Sequence, residues 1–147
     1  MNMDRKTFIR QSCMACAGMV LGTALLESCM ATKYAKGTLN DNGMLVDLKE
    51  FDNKKGQHPY VIVRHDDLLF PICVYRVSET QYSAVLMKCS HQGAELQAAG
   101  DQLTCPAHGS EFDKFGKAMQ GPATDAQRTF PVSRSNGQLF IDLRKQA

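Results

Sequence analysis

The sequence of 147 residues contains no tryptophan, no low-complexity tract and no internal repeat at the period of a solenoid. It also lacks a run of apolar residues as long as the roughly 18 that a membrane-spanning helix requires. The net charge is only +2, which is too small to indicate a nucleic acid or an acidic membrane surface as a partner. With 44% hydrophobic and 22% charged residues, the composition is that of a globular chain with about one domain.

The longest apolar run covers residues 13–26 and follows a basic start that carries Arg5, Lys6 and Arg10. A basic start followed by a short apolar run is typical of a secretory signal. The alternative is a buried N-terminal helix, but nothing amphipathic interrupts the run. We therefore predict a signal peptide over residues 1–28.

Two short stretches refine this prediction. "DRKTFIR" resembles a twin-arginine export signal with Lys6 in place of the second arginine, which leaves ordinary secretion open. "LLESC" resembles a bacterial lipobox, with Leu26 three residues before Cys29 and the small Ser28 directly before it. This resemblance implies that Cys29 is lipidated, that residues 29–42 are the lipidated cysteine and a flexible tether, and that the protein is an exported lipoprotein. It would be anchored in a membrane on the periplasmic side of a bacterial cell.

The remainder of the chain is rich in β-branched and aromatic segments separated by turn residues, which is the pattern of strands. Asn136-Gly137 between two such segments predicts a hairpin, because a type I′ turn requires a positive φ at both positions. Glycines and prolines mark residues 89–128 as loops. The residues predict a small all-β domain over 43–147, with a loop-rich insertion and with strands at 43–48, 60–64, 69–77, 82–88 and on both sides of residues 135–137.

The insertion contains two pairs of metal-ligating residues, Cys89 with His91 and Cys105 with His108. Two thiolates and two imidazoles suit a tetrahedral structural zinc. A zinc finger, however, groups cysteine with cysteine and histidine with histidine, whereas each loop here mixes the two types. A mixed pair from each loop can instead serve a binuclear centre, with both cysteines on one iron and both histidines on the other. Both interpretations are open at this point.

The spacing resembles that of the Rieske [2Fe–2S] family, whose pattern is C-x-H in one loop and C-x-x-H in the next. The resemblance covers roughly residues 60–143 and includes "GPA" at 121–123, which is similar to the family's proline-containing loop over the cluster. It implies an antiparallel Rieske-type β-sandwich with a loop-rich cluster-binding subdomain and cluster-binding loops at about 89–123. It also implies a [2Fe–2S] cofactor with four ligands, namely Cys89, His91, Cys105 and His108.

Three positions near the implied cluster differ from those of high-potential members of the family. Ala94 and Ala107 replace the two cysteines that form a disulfide in those members, and Phe112 replaces a tyrosine whose hydroxyl lies near a cysteine sulfur. Ser110 is kept and could donate to a bridging sulfide, and Pro122 lies in the loop over the cluster. Because hydrogen bonds to sulfur raise the potential, the resemblance implies a value inside the family range of about −150 to +300 mV and below the quinol-oxidising members.

The resemblance implies a one-electron carrier that is tethered to a membrane and exchanges electrons with a redox protein donor and acceptor. It would act alone or as the small subunit of a respiratory oxidoreductase. No nucleophile, nucleotide motif or other independent catalytic site is evident in the sequence. Two alternatives remain, namely a Rieske subunit of a quinol-oxidising cytochrome bc-type complex with an uncleaved N-terminal membrane helix, and a non-redox zinc-binding module.

Overall fold

The computed structural model describes residues 32–53 and 56–144, and these residues are nearly all β. The predicted signal peptide and Cys29 lie outside the described residues. Within the described ranges, no helix is long and apolar enough to cross a membrane. A 3₁₀ turn covers Leu48–Phe51, and the strands are β1 (Tyr34–Lys36), β2 (Thr38–Asn40), β3 (Gly43–Asp47), β4 (Asp52–Asn53), β5 (Gly56–Gln57), β6 (Tyr60–Arg64), β7 (Ile72–Arg76), β8 (Tyr82–Leu86), β9 (Gln97–Ala99), β10 (Gln102–Thr104), β11 (Glu111–Asp113), β12 (Ala118–Gln120), β13 (Thr129–Phe130), β14 (Val132–Ser135) and β15 (Gln138–Asp142).

The strands form three larger sheets and one small hairpin. The central sheet has the order β1-β6-β7-β8-β13, the basal sheet β14-β15-β3-β2 and the apical sheet β12-β11-β10-β9, while β4 pairs with β5. Every pairing between the described strands is antiparallel except that of β1 with β6. The predicted all-β antiparallel fold is therefore confirmed.

The central sheet is buried on both faces. In β6, Val61 and Val63 belong to a core shared with the basal sheet, whereas Tyr60 and Ile62 belong to a second core shared with the apical sheet. Successive side chains of a strand point to opposite faces. A strand that is apolar at nearly every position, as in "YVIVR", is therefore suited to a position between two layers.

The predicted hairpin joins β14 to β15. Asn136 and Gly137 have φ values of 49° and 78°, and Ser135 lies opposite Gln138. The turn returns the chain so that β15 pairs with β3, where Leu139 and Ile141 enter the basal core. The hairpin prediction is confirmed.

The predicted tether over residues 29–42 is corrected by the structure. Residues 34–36 and 38–40 are in strands, with Tyr34 opposite Ile62 of β6 and Leu39 opposite Met44 of β3. Gly37 between them is buried, and a Cβ there would lie 2.2 Å from the sulfur of Met44. Strands of three residues show almost no hydrophobic periodicity, and the partner of β1 lies far along the chain. The polar composition of this segment therefore gives no sign of its two strands.

The insertion predicted as loops contains the apical sheet. Its four strands are each three residues long, and the pairing of β11 with β12 shifts register between Glu111 and Phe112. Strands this short cannot be recognised from alternation alone. They bring the loop after β8 and the loop after β10 to the same end of the domain.

Candidate metal centre

Two loops of the same design present the predicted ligands. The first loop, residues 89–94, precedes β9, and the second loop, residues 105–110, joins β10 to β11. In each loop the cysteine N–H donates to the carbonyl oxygen five residues later, and the cysteine carbonyl accepts from the N–H four residues later. The donors and acceptors are Cys89 to Ala94 (2.8 Å), Gly93 to Cys89 (2.8 Å), Cys105 to Ser110 (2.8 Å) and Gly109 to Cys105 (2.9 Å).

Each loop turns at a glycine in the left-handed region. Gly93 has a φ of 74° and Gly109 a φ of 76°. Residues with a Cβ rarely adopt this conformation, whereas glycine does so without strain. The glycine four positions after each cysteine therefore allows the loop to close on its own cysteine.

The structure separates the predicted ligands by type. The two cysteines are almost fully buried, Cys89 at 2% and Cys105 at 1% exposure, and belong to the second core. The side chains of His91 and His108 are exposed, and their ring centroids lie 5.2 Å apart in an edge-to-face arrangement. The two thiols therefore meet inside the domain, and the two imidazoles meet at its surface.

The environment of Cys105 favours a thiolate. Burial opposes ionisation, but hydrogen bonds from the backbone N–H of Ala107, the Cys89 thiol and the backbone N–H of His108 outweigh it and hold the pKa of Cys105 below its ordinary value. A thiolate is the form of cysteine that ligates metals. The loop thus provides donors for negative charge on this sulfur.

The arrangement suits a group with two metal ions, because the cysteines form one pair in the core and the histidines a separate pair at the surface. In a Rieske cluster each iron takes only two protein ligands, with cysteines on one and histidines on the other. A buried thiol pair beside an exposed imidazole pair satisfies this requirement.

Ser110 and Phe112 lie where the loops meet the second core. Both are fully buried, and Phe112 belongs to the same core as the two cysteines. The Ser110 Oγ accepts a hydrogen bond from the N–H of Ala123 at 3.0 Å, so its own proton remains to be donated. Pro122 is exposed and directly precedes Ala123. Ser110 therefore connects the second loop to the predicted proline-containing loop.

Cys73 is a buried thiol outside the candidate site. It lies on β7 with 0% exposure, and burial raises its pKa to about 12 although a hydrogen bond with Tyr75 lowers it in part. None of Cys73, Cys89 and Cys105 forms a disulfide. Cys73 contributes apolar packing to the second core and is suited to serve as an internal control for the other two.

Gln127 is a buried residue beside the first loop that no sequence pattern indicates. Its side chain is 2% exposed, and its backbone N–H donates to the carbonyl of Gly116 at 2.7 Å. The predicted cluster-binding loops end at 123, but the structure brings residues up to Gln127 against the first loop. A single glutamine in the polar stretch "TDAQ" shows no pattern from which burial could be predicted.

An all-β domain with paired buried thiols and paired exposed imidazoles is of the kind that holds a binuclear iron–sulfur cluster. The family model of the Rieske [2Fe-2S] domain matches residues 44–131, which is more than half of the chain. The protein belongs to the Rieske family. It accordingly carries a [2Fe–2S] cluster and acts in electron transfer.

Two curated relatives come from different electron-transfer systems. The 3-phenylpropionate/cinnamic acid dioxygenase ferredoxin subunit of Escherichia coli (strain K12) is 40% identical over 68 residues, which cover 43% of this chain and 64% of the relative. The cytochrome b6-f complex iron-sulfur subunit of Synechococcus sp. (strain WH7803) is 28% identical over 89 residues, which cover 59% of this chain and 44% of the relative. The chain thus spans less than two thirds of the length of either relative.

Two solved structures share the fold. The cyanobacterial plasma membrane Rieske protein of Synechocystis PCC 6803 is 25% identical and aligns over 57% of this chain and 86% of its own with a TM-score of 0.50. The ferredoxin of Sphingomonas yanoikuyae B1 is 24% identical and aligns over 69% of this chain and 98% of its own with a TM-score of 0.52. The likeness to the ferredoxin supports the fold alone.

Proposed function

We propose that Cys89 and Cys105 ligate one iron of the cluster and that His91 and His108 ligate the other. The observation that carries the proposal is the separation of the buried thiols from the exposed imidazoles, whose centroids lie 5.2 Å apart. The bound cluster supplies one-electron chemistry. The second core keeps water from the two sulfurs, and the exposed imidazole rings offer the route by which an electron reaches a partner.

The purified protein should contain two irons and two acid-labile sulfides per chain. Histidine ligation of one iron should give the reduced protein the low average g value that distinguishes Rieske centres in EPR spectra. Metal analysis, sulfide analysis and EPR of the dithionite-reduced protein make the test. A colourless preparation with stoichiometric zinc, from cells with intact cluster assembly, would overturn the ligand assignment in favour of the zinc-binding module.

We also propose a cellular location and a class of partner for the protein. A basic start, an apolar run and the lipobox-like "LLESC" support an exported lipoprotein anchored through Cys29 on the periplasmic side of a bacterial membrane. Several acyl chains on one cysteine anchor a protein stably, whereas a single chain does not. In this proposal the protein is a membrane-bound one-electron carrier, alone or as the small subunit of a respiratory oxidoreductase, and its donor and acceptor are redox proteins.

The anchor would hold the domain close to the bilayer. Thr32, which lies within 3.4 Å of the Tyr60 hydroxyl, is only three residues after Cys29. Three residues span at most about 11 Å when fully extended. Because the folded domain starts this close to the anchor, the proposal favours partners that lie at the same membrane surface. It disfavours partners that only a domain swinging on a long tether would reach.

Replacing Cys29 by serine should abolish lipid labelling and leave a full-length precursor, because the modified sulfur and the processing site are lost. Cys16→Ser is the matched control, since Cys16 lies inside the apolar run, and it should be labelled as the wild type is. Radiolabelled lipid incorporation and mass spectrometry of the mature N-terminus provide the measurement. An unmodified N-terminal residue other than Cys29 would remove the lipoprotein proposal.

A second candidate function is that of a Rieske subunit in a quinol-oxidising complex. The similarity to the cytochrome b6-f iron-sulfur subunit over 89 residues favours it. In that function the N-terminal apolar segment would remain attached as a membrane helix. An intact Met1 in the membrane-bound protein would support this second candidate over the first.

A further inference from the structure

Gln127 has an unusual environment for an uncharged polar side chain. It is one of three buried polar or charged residues in the part of the chain that the structure describes, the others being Ser110 and Asp142. With the amide oxygen and nitrogen assigned in the orientation that gives both ends a partner, Nε2 donates to the carbonyl oxygen of Lys88 and Oε1 accepts from the N–H of Ser90 at 3.0 Å. Gln127 therefore pairs with the backbone on both sides of Cys89.

A second contact also joins the residues around Gln127 to the first loop. The Ser90 hydroxyl donates to the carbonyl oxygen of Asp125 at 2.8 Å. At the other end, the N–H of Ala123 donates to the Ser110 hydroxyl in the second loop. Residues 123–128, here termed the bridging segment, are thus hydrogen-bonded to both ligand loops. Gln127 supplies one contact with Ser90 in the first loop and one with Lys88 directly before it.

The position of Gln127 also affects access of water to Cys89. Gln127 and Cys89 both line a cleft of about 650 Å³. The cleft is also lined by Lys88, Ser90, His91 and Gln92. Cys89 itself is only 2% exposed. A side chain that pairs with the peptide groups on both sides of Cys89 limits how far this loop can open into the cleft.

We propose that Gln127 is a positioning residue of the metal centre, which holds the first ligand loop closed over Cys89. The proposal rests on the ligand set given under the proposed function. Without the amide, the Lys88 carbonyl and the Ser90 N–H lose their partner, and a buried peptide group without a partner is costly. The loop would then shift towards water. Because solvent favours the more highly charged state of a buried group, and the reduced cluster carries one more negative charge, the midpoint potential should rise.

Gln127→Leu tests the proposal in the full-length protein. Loss of one hydrogen bond corresponds to about a three- to tenfold change in an equilibrium constant. We expect the loop to open more often by about that factor, so that cluster loss to a chelator becomes faster by a similar factor, and the ratio of reduced to oxidised protein at a fixed ambient potential to rise. Gln97→Leu is the matched control, because Gln97 lies exposed on β9 of the apical sheet, and it should leave both quantities unchanged.

A measurement on the cluster-free protein separates this proposal from the ligand assignment. Hydrogen exchange of the Ser90 amide should be at least several-fold faster in Gln127→Leu than in Gln97→Leu, whether or not iron is present. If the wild type binds no iron, the ligand assignment fails, while the exchange rates still report on the Gln127 contact. If Gln127→Leu does not fold, Gln127→Met fills similar space with a flexible apolar chain and takes its place. A lower melting temperature with unchanged potential and unchanged Ser90 exchange would reduce Gln127 to a structural residue and overturn the proposal.

Discussion

Replacing Cys105 by alanine is expected to yield a colourless protein without iron or sulfide. Cys105 is 1% exposed, and its pKa is held below the ordinary value, despite burial, by hydrogen bonds from Ala107, Cys89 and His108. Alanine has no sulfur to bind iron, and no other described cysteine lies in the second loop. Iron and sulfide content per chain, together with the visible absorption spectrum, measure the loss.

Cys73→Ala is the matched control for this substitution. Cys73 is as deeply buried as Cys105 and belongs to the same second core, but its hydrogen bond with Tyr75 does not outweigh burial, and its pKa is raised. The control loses a buried sulfur, and the protein should keep two irons per chain. Equal cluster loss in both variants would mean that disruption of the core, and not removal of a ligand, empties the site.

Replacing Phe112 by alanine should lower the free energy of unfolding by about 3–5 kcal/mol, the usual range for truncation of a buried phenylalanine. Phe112 is 0% exposed in β11, opposite Leu103 of β10, in the core that also contains both site cysteines. The residual cavity would lie in that core, so the cluster should be lost at lower denaturant concentration than in the wild type. Guanidinium denaturation followed by circular dichroism and by visible absorption measures both effects.

Phe115→Ala provides the comparison, because Phe115 is 55% exposed in the turn between β11 and β12. Its truncation leaves no cavity, and surface substitutions usually change stability by about 0.5 kcal/mol or less. Equal destabilisation by the two substitutions would contradict the placement of Phe112 in the second core.

The two ligand loops could be predicted from the sequence because their structure is local. Each loop closes through hydrogen bonds between residues no more than five positions apart, and each turns at a glycine with positive φ. The spacing of Cys89 from Gly93 and of Cys105 from Gly109 therefore indicates where each loop turns. The Asn136-Gly137 hairpin is local in the same sense, and its prediction is confirmed.

The strands in the predicted tether and in the apical sheet could not be predicted in the same way. β1 is three residues long and pairs with β6, whose residues lie 28 positions away along the chain. The strands of the apical sheet are also three residues long, which is too short for an alternation of buried and exposed side chains to be recognised. Their stability comes from partners in other segments, so their own residues do not reveal them.

The candidate ligands and the all-β class follow from the sequence alone, because both depend on residue types and on spacings within a few positions. Which candidate ligands are buried and which are exposed follows from the packing of the sheets and not from the local sequence. The side on which a side chain lies depends on the layers packed against it, here the central sheet beneath Cys89 and Cys105. The same holds for Gln127, because its partners Lys88 and Ser90 lie 39 and 37 positions earlier in the chain and meet it only through the packing of the layers.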